Sequence, residues 1–159
     1  MNDGVPEKTN AHKRMLNPRT VALIGATEKE GSVGRAILEN LLLSKNRKIF
    51  PVNPNRTTVL GIQCFASVGS LPEQIDLAVI ATPARTVPEV VEACGKAGVQ
   101  GALVISAGFR EVGDEGRRLE DQIREIRKKY GMRIIGPNCV GVIRPSVDLN
   151  ASFLKAKPE

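Results

Sequence analysis

The chain has 159 residues, of which 42% are hydrophobic and 25% charged, and its formal net charge is +6. These values are typical of one globular domain and exclude a chain that is disordered throughout. Three cysteines without metal-type spacing and one histidine, His12, argue against a disulfide framework, a metal site and histidine-based catalysis, and they favour a reducing cytoplasm. No apolar run approaches a membrane span and the N-terminus is polar, so we expect no membrane helix and no secretory signal.

The first half of the chain alternates between strand and helix patterns. Residues 1–16 lack hydrophobic periodicity and predict a disordered tail. The apolar run Thr20–Ile24 predicts a buried strand, and residues 37–42 follow with apolar positions at helical spacing. Residues 49–52 predict a second strand, at a sheet edge or irregular because proline at position 51 lacks an amide donor.

The second half continues the alternation. Residues 60–66 are a candidate short strand. Helical patterns occupy residues 87–97 and 119–130. Strand patterns occupy residues 76–81, 102–105 and 133–135, and a final short strand is predicted at 141–143. Strands that are apolar throughout, between amphipathic helices, indicate an α/β fold. We predict a doubly wound, Rossmann-like parallel sheet with helices on both faces, whose ligand crevice lies at the carboxyl ends of the strands.

The loop of residues 25–34 joins the first strand to the first helix of this alternation. Its glycines allow a close backbone approach to an anion, Thr27 and Ser32 add hydroxyls, and Lys29 adds a positive charge. Ser32 can also cap the helix. We predict phosphate binding here; the alternative is a glycine-rich turn without a ligand.

The kind of phosphate ligand follows from two departures from known fingerprints. Gly25, Gly31 and Gly34 are spaced G-x5-G-x2-G rather than G-x-G-x-x-G. Arg56 stands near the end of the second strand, where NAD sites carry an acidic residue for the ribose hydroxyls. A cation there favours a phosphorylated ribose, as in NADP or coenzyme A. The positive excess near Lys29 and Arg56 has the same explanation, with solubility as the alternative.

Three later loops are expected at the same crevice. Residues 81–85 contain Pro83, which either starts a helix or contacts the ligand. Residues 106–109 end in Phe109, which either stacks on the ligand or, as we favour, covers the core. Residues 136–141 contain Asn138, a bridging or turn-capping side chain, and Cys139, which has no histidine nearby in sequence and is predicted to be a buried structural thiol.

Five motifs occur in a fixed order: GATEKEGSVG, PVNPNR, DLAVIATPA, VISAGFRE and GPNCVGVI. As an ordered set over residues 16–153, they resemble the N-terminal coenzyme A-binding domain of ADP-forming acyl-CoA synthetases. This is the acetyl-CoA synthetase group, which is related to the α subunit of succinyl-CoA synthetase. Ala107 departs from the Thr-Glu-Gly loop of succinyl-CoA synthetase and favours the acetyl group, while Glu28 departs from a small residue in the first loop.

The resemblance implies the positions of the coenzyme contacts. The first loop would hold the coenzyme, a basic residue its nucleotide end, and the third and fourth loops the rest. The residues assigned to coenzyme binding are Gly25, Thr27, Glu28, Lys29, Glu30, Gly31, Ser32, Val33, Asn53, Pro54, Arg56, Thr82, Pro83, Ser106, Ala107, Gly108 and Asn138. No catalytic residue and no metal ligand is assigned.

The resemblance also implies what the chain does with its ligand. In that family a following domain carries a phosphorylated histidine, and an ATP-grasp portion or β subunit handles the nucleotide. The chain would then be a domain of a larger ligase, with residues 17–147 binding coenzyme A or acyl-CoA and residues 148–159 forming a linker. Alone it would catalyse nothing. The alternatives are a stand-alone regulatory or carrier module and an NADP-linked oxidoreductase domain. A nucleic-acid partner is not expected, since the chain has only four Phe, one Tyr and no Trp for base stacking. A membrane partner is not expected either, since no apolar run approaches a membrane span.

Overall fold

The computed structural model of the protein describes residues 8–155. The helices are α1 (Lys8–Leu16), α2 (Val33–Leu42), α3 (Val87–Lys96) and α4 (Asp114–Tyr130). The strands are β1 (Thr20–Ile24), β2 (Lys48–Val52), β3 (Thr58–Val59), β4 (Ile62–Gln63), β5 (Leu77–Ile80), β6 (Gly101–Val104), β7 (Arg133–Ile135), β8 (Gly141–Arg144) and β9 (Leu149–Ser152).

Five strands form the central sheet in the order β2-β1-β5-β6-β7, and every neighbouring pair is parallel. The chain runs from β1 outward to β2 and then crosses to the other side of β1 to continue with β5. Strand order therefore reverses between β1 and β5, and a doubly wound sheet opens its ligand crevice at such a switch point. The predicted Rossmann-like parallel sheet is confirmed.

The sheet is covered on both faces by side chains that alternate along each strand. Ala22 and Ile24 of β1 lie in one buried core with α3 and α4. Val21 and Leu23 lie in a second core with α2, α1 and β9. Because both faces are buried, the strands read as continuous apolar runs. Phe109 is fully buried in the first core, as favoured from the sequence.

Strand β2 lies at one end of the sheet, as Pro51 predicts. Its outer side is partly covered by Phe65, whose amide donates to Pro51 O at 2.9 Å and whose carbonyl accepts from Asn53 N at 2.9 Å. The candidate strand at 60–66 is instead a short antiparallel hairpin, β3–β4, over residues 58–63. The chain therefore leaves β2, makes this hairpin and returns to the edge of the sheet.

Residues 8–16 differ from the predicted disordered tail, because they form helix α1. Ala11 and Met15 are buried, and Met15 lies so close to Gly101 that a Cβ at Gly101 would be 2.9 Å from Met15 Cβ. Among residues 10–16 these are the two buried side chains, and two buried positions are too few to give a recognisable apolar period. Residues 1–7 of the predicted tail lie outside the described residues.

The C-terminal segment also differs from the predicted linker at 148–159. Strand β9 pairs antiparallel with β8, and Leu149, Ala151 and Ser152 are buried. Asn40 of α2 donates from Nδ2 to Ser152 O at 2.8 Å and to Leu154 O at 2.9 Å. The segment is therefore part of the domain as far as these contacts reach, and residues 156–159 lie outside the described part of the chain.

Within residues 8–155, none of the helices combines the length and the apolar character that crossing a bilayer requires.

Candidate functional site

The loops that follow β1, β2, β5, β6 and β7 meet at the carboxyl edge of the sheet, and all the residues assigned to coenzyme binding lie on them or at the start of α2. Gly25 follows β1 directly with φ of +96°. A Cβ on Gly25 would lie 2.7 Å from Ala81 O, the first residue after β5. Glycine is therefore required where the two strands bordering the switch point end together.

Helix α2 begins at the first loop and presents its N-terminus there. Ser32 caps the helix: its Oγ accepts from Arg35 N at 3.3 Å and donates to Lys29 O at 2.6 Å. Gly34 carries no side chain because a Cβ would collide with Gly25 O. The amides of a first helical turn have no acceptors within the helix, and the positive end of the helix dipole favours an anion there.

The charged residues of the first loop face different environments. Lys29 and Glu30 are exposed, and Lys29 makes no ion pair within residues 8–155. The amide of Lys29 donates to Thr27 Oγ1 at 3.2 Å, which closes a tight turn. Glu28 points its carboxylate to the β3–β4 hairpin, where Oε1 accepts from Leu60 N at 2.7 Å.

The loop after β2 is joined to the first loop by side chains. Asn53 donates from Nδ2 to Ala26 O at 2.9 Å, while its Oδ1 accepts from Asn55 N at 2.9 Å. Arg56 is exposed, with NH1 3.9 Å from Oε2 of Glu28. The structure thus brings the predicted nucleotide-end cation against the predicted phosphate loop.

An apolar cleft of about 620 Å³ lies between these two loops, the loop after β5 and the first two turns of α3. Five of the assigned residues line it, namely Gly25, Asn53, Pro54, Thr82 and Pro83. The sequence analysis did not single out five further residues that also line the cleft, namely Val68, Thr86, Glu89, Val90 and Ala93. Val90 and Ala93 lie one helical turn apart on α3, and this spacing is the same for a side chain in the core and one in a cleft.

A second recess, of about 440 Å³, surrounds the start of α2. It is lined by Glu30, Gly31, Ser32 and Val33 from the assigned set, together with residues of α2, Phe153 and Lys155. Val33 is 43% exposed. The first loop contributes to both cavities, since Gly25 at its start lines the cleft and residues 30–32 at its end line the recess.

The remaining assigned residues form a third group around Ser106. Its Oγ donates to Thr82 O at 2.5 Å, and its carbonyl accepts from Asn138 N at 2.9 Å. Ala107 is exposed, and Gly108 has φ of +103°. The Gly108 amide donates to the Glu111 carboxylate, which lowers the pKa of Glu111. The residues around Ser106 do not line the apolar cleft. They contact it indirectly, through the hydrogen bond from Ser106 to Thr82, which does line it.

Asn138 and Cys139 belong to a loop with a cis Gly136–Pro137 bond. Asn138 has φ of +55°, a left-handed conformation that asparagine tolerates well. The Cys139 thiol donates to Val104 O at 3.4 Å, and burial raises its pKa. A raised pKa leaves little thiolate at neutral pH, so the contacts of Cys139 are those of a structural thiol. Within the described residues, no group of three or more His, Cys, Asp or Glu side chains is arranged to hold a metal ion.

Comparison with known proteins gives one family match and several similar proteins. A family of proteins described as the CoA binding domain matches residues 19–145. An ADP-forming acetate–CoA ligase of Methanocaldococcus jannaschii is 50% identical over 146 residues, which are 92% of this chain and 20% of that protein. ADP-forming acetate–CoA ligase I of Archaeoglobus fulgidus is 44% identical over 147 residues, 92% of this chain and 21% of the relative. The chain thus spans about a fifth of the length of these relatives.

The chain is also similar to part of a solved structure. A dinucleotide-forming acetyl-coenzyme A synthetase 1 from Ca. Korarchaeum cryptofilum, determined with phosphate and ADP, superposes with a TM-score of 0.84 at 39% identity. The match covers 89% of this chain and 30% of that one.

Proposed function

This chain belongs to the CoA binding domain family, and from that membership we propose that it binds coenzyme A or an acyl-CoA across the carboxyl edge of its sheet. The observation that carries the proposal is that a capped helix start, the Arg56 guanidinium and an apolar cleft lie side by side at the switch point. Coenzyme A joins a pyrophosphate, a phosphorylated ribose and an adenine ring, so it offers a group to each.

The proposed orientation assigns one part of the ligand to each group of residues. Adenine occupies the apolar cleft between Val68, Pro83 and Val90. The ribose phosphate binds Arg56, since a guanidinium and a phosphate form strong charge-assisted hydrogen bonds. The pyrophosphate lies on the amides at the start of α2, near Ser32. The pantetheine arm then runs over the first loop toward the group around Ser106, and the thiol ends there.

We further propose that the domain works within an ADP-forming acyl-CoA ligase, which interconverts acyl-CoA, ADP and phosphate with acid, CoA and ATP. The names and lengths of the relatives support this, because the chain covers only about a fifth of them. His12 lies on α1, whose Met15 packs at the start of β6, at the edge opposite the crevice. The domain would therefore bind and orient the coenzyme, while further domains or a β subunit with an ATP-grasp portion carry out the phosphoryl chemistry.

The proposed compartment is the cytoplasm. Cys64, Cys94 and Cys139 are free thiols, which suits a reducing compartment.

Calorimetric titration of the 159-residue chain with CoA, acetyl-CoA, NAD and NADP tests the coenzyme proposal. We expect CoA and acetyl-CoA to bind more tightly than either nicotinamide dinucleotide. Arg56→Ala should weaken CoA binding about tenfold, because it removes a charge-assisted contact to the ribose phosphate.

Arg118→Ala is the matched control, since Arg118 is an exposed arginine of α4 that lines neither the apolar cleft nor the recess at the start of α2. It should leave CoA affinity unchanged. Tighter binding of NADP than of CoA would overturn the proposal in favour of a nicotinamide-dependent domain. ATP formation from acetyl-CoA, ADP and phosphate, restored by adding the chain to a ligase that lacks this domain, would distinguish a ligase domain from a stand-alone carrier.

A further inference from the structure

The β3–β4 hairpin lies beside the first loop, and a hydrogen bond to the Glu28 side chain joins the two. Its Oε1 accepts from Leu60 N at 2.7 Å, across 32 residues of sequence. Arg35 NH1 donates to the carbonyl of Glu28 at 2.7 Å, which fixes the backbone at that point. The backbone of Glu28 is therefore held from the α2 side, and its carboxylate accepts the hydrogen bond from the hairpin.

The hairpin needs such a contact because of its turn. Leu60 and Gly61 connect β3 to β4, with φ of +49° and +75°. A two-residue turn with positive φ at both positions favours Asn-Gly or Gly-Gly. Leucine is disfavoured in this conformation because its Cβ crowds the backbone. The hydrogen bond from the Leu60 amide to Glu28 opposes that strain at the residue where it arises.

The same carboxylate faces Arg56, at the start of the excursion that contains the hairpin. Glu28 Oε2 lies 3.9 Å from Arg56 NH1, and each side chain is 42% exposed. At this exposure the pair contributes little stability. The pair matters for the position of Arg56, because Glu28 contacts both the turn at Leu60 and the guanidinium of Arg56, four residues before Leu60.

We propose that Glu28 is a positioning residue: its carboxylate fastens the β3–β4 hairpin to the first loop and thereby sets Arg56 at the mouth of the crevice. The inference rests on the proposed binding of coenzyme A, in which Arg56 meets the ribose phosphate. On binding, the guanidinium exchanges a distant carboxylate for the phosphate, while the Leu60 amide stays on Glu28. The negative charge of Glu28 therefore opposes binding of CoA, because it competes with the phosphate for Arg56. The hydrogen bond from the Leu60 amide to Glu28 favours binding, because it keeps the hairpin and Arg56 in place.

Two variants separate these opposite effects. Glu28→Gln removes the charge but keeps an amide oxygen that can accept from Leu60, whereas Glu28→Ala removes both. Relative to the unmodified chain, Glu28→Gln should bind CoA about two- to fivefold more tightly, since a competing charge is lost. Glu28→Ala should bind about three- to tenfold more weakly than Glu28→Gln, because the hairpin is released.

The two variants should also differ in their preference for CoA over dephospho-CoA, which lacks the ribose phosphate. Glu28→Ala should lose most of that preference, as Arg56→Ala does, while Glu28→Gln keeps it. A residue that merely stabilised the fold would weaken both ligands alike. Glu115→Gln is the matched charge control, since Glu115 is exposed in the first turn of α4, and it should change neither affinity nor preference.

Amide hydrogen exchange at Leu60, measured without ligand, tests the hairpin contact independently of CoA. Exchange should accelerate about tenfold in Glu28→Ala and stay slow in Glu28→Gln. Equal exchange and equal preference in the two variants would overturn the role of Glu28. If the unmodified chain bound no CoA while the exchange result held, the proposed function would fail but the fastening of the hairpin would stand.

Discussion

Gly34 and Gly25 determine how closely helix α2 approaches the end of β1. A Cβ on Gly34 would collide with Gly25 O, and a Cβ on Gly25 would lie 2.7 Å from Ala81 O. Both neighbours are backbone atoms, which cannot rotate away as a side chain can. The start of α2 therefore packs directly on the backbone of Gly25, and Gly25 packs directly on the backbone of Ala81 after β5.

Gly34→Ala should therefore both destabilise the protein and impair its binding. Insertion of a methyl group into a packed backbone contact costs about 1–3 kcal/mol, measured as a lower free energy of unfolding in urea. Displacement of the helix start should also weaken CoA binding. Gly69→Ala is the control, because a Cβ there would lie 3.9 Å from its nearest neighbour, Ser67 Oγ. Equal stability of the two variants would contradict this role for Gly34.

Single residues also mark how far the sequence could predict the site. The glycine spacing, the capping Ser32 and the cation Arg56 are local signals, and the structure has Ser32 capping α2 and Arg56 beside the first loop. The contact between Glu28 and Leu60 was not predictable, because it joins residues 32 apart in sequence. It also depends on a left-handed turn at Leu60, and leucine in a sequence does not indicate that conformation.

At the level of elements, the apolar strands and amphipathic helices of the sheet were predictable because each carries its own periodicity. Helix α1 and strand β9 were not, since their burial depends on surfaces far away in sequence. The Met15 side chain packs on Gly101, where a side chain would leave no room for it. The carbonyl of Ser152 accepts a hydrogen bond from the side-chain amide of Asn40. Their order comes from tertiary contacts that a local pattern does not contain.

Asn40 provides a test of how β9 is held. Asn40→Ala should lower the free energy of unfolding by about 2 kcal/mol, because the buried carbonyl of Ser152 and the carbonyl of Leu154 lose their donor. Amide exchange in β8 and β9 should accelerate more than in β5, which lies in the middle of the central sheet.

The control for this variant is Asn46→Ala, since Asn46 is an exposed asparagine just beyond the same helix. It should change stability by less than about 0.5 kcal/mol. Uniform acceleration of exchange over the whole domain by Asn40→Ala would contradict a specific role for Asn40 in holding β9.

At the scale of the whole molecule, the net charge of +6 is distributed unevenly. Most of α4 is an exposed surface in which acids and bases alternate and pair, as in Arg124–Asp121 and Lys128–Glu125. On the first loop, Lys29 has no ion pair within residues 8–155, and the partner of Arg56 is 3.9 Å away. The crevice therefore holds cations available to an anionic ligand.

CoA affinity should accordingly depend on salt. An increase of ionic strength from about 0.05 M to 0.5 M should weaken binding about five- to tenfold, since exposed charges are screened. The dependence should be smaller in Arg56→Ala and unchanged in Arg118→Ala. Titration calorimetry in a series of NaCl concentrations measures it, and an affinity independent of salt would contradict phosphate recognition by exposed cations.

The parallel order of the central sheet has a consequence for how the protein folds. Strand β1 pairs with β5, so that Thr20 and Asp76 are hydrogen-bonded across 56 residues. Contacts between distant segments slow folding, because the chain loses loop entropy before they form. During synthesis the first loop, Asn53 and Arg56 emerge before β5 does. The crevice is therefore complete only late in folding, after β5 has docked beside β1 and supplied the loop that borders the cleft.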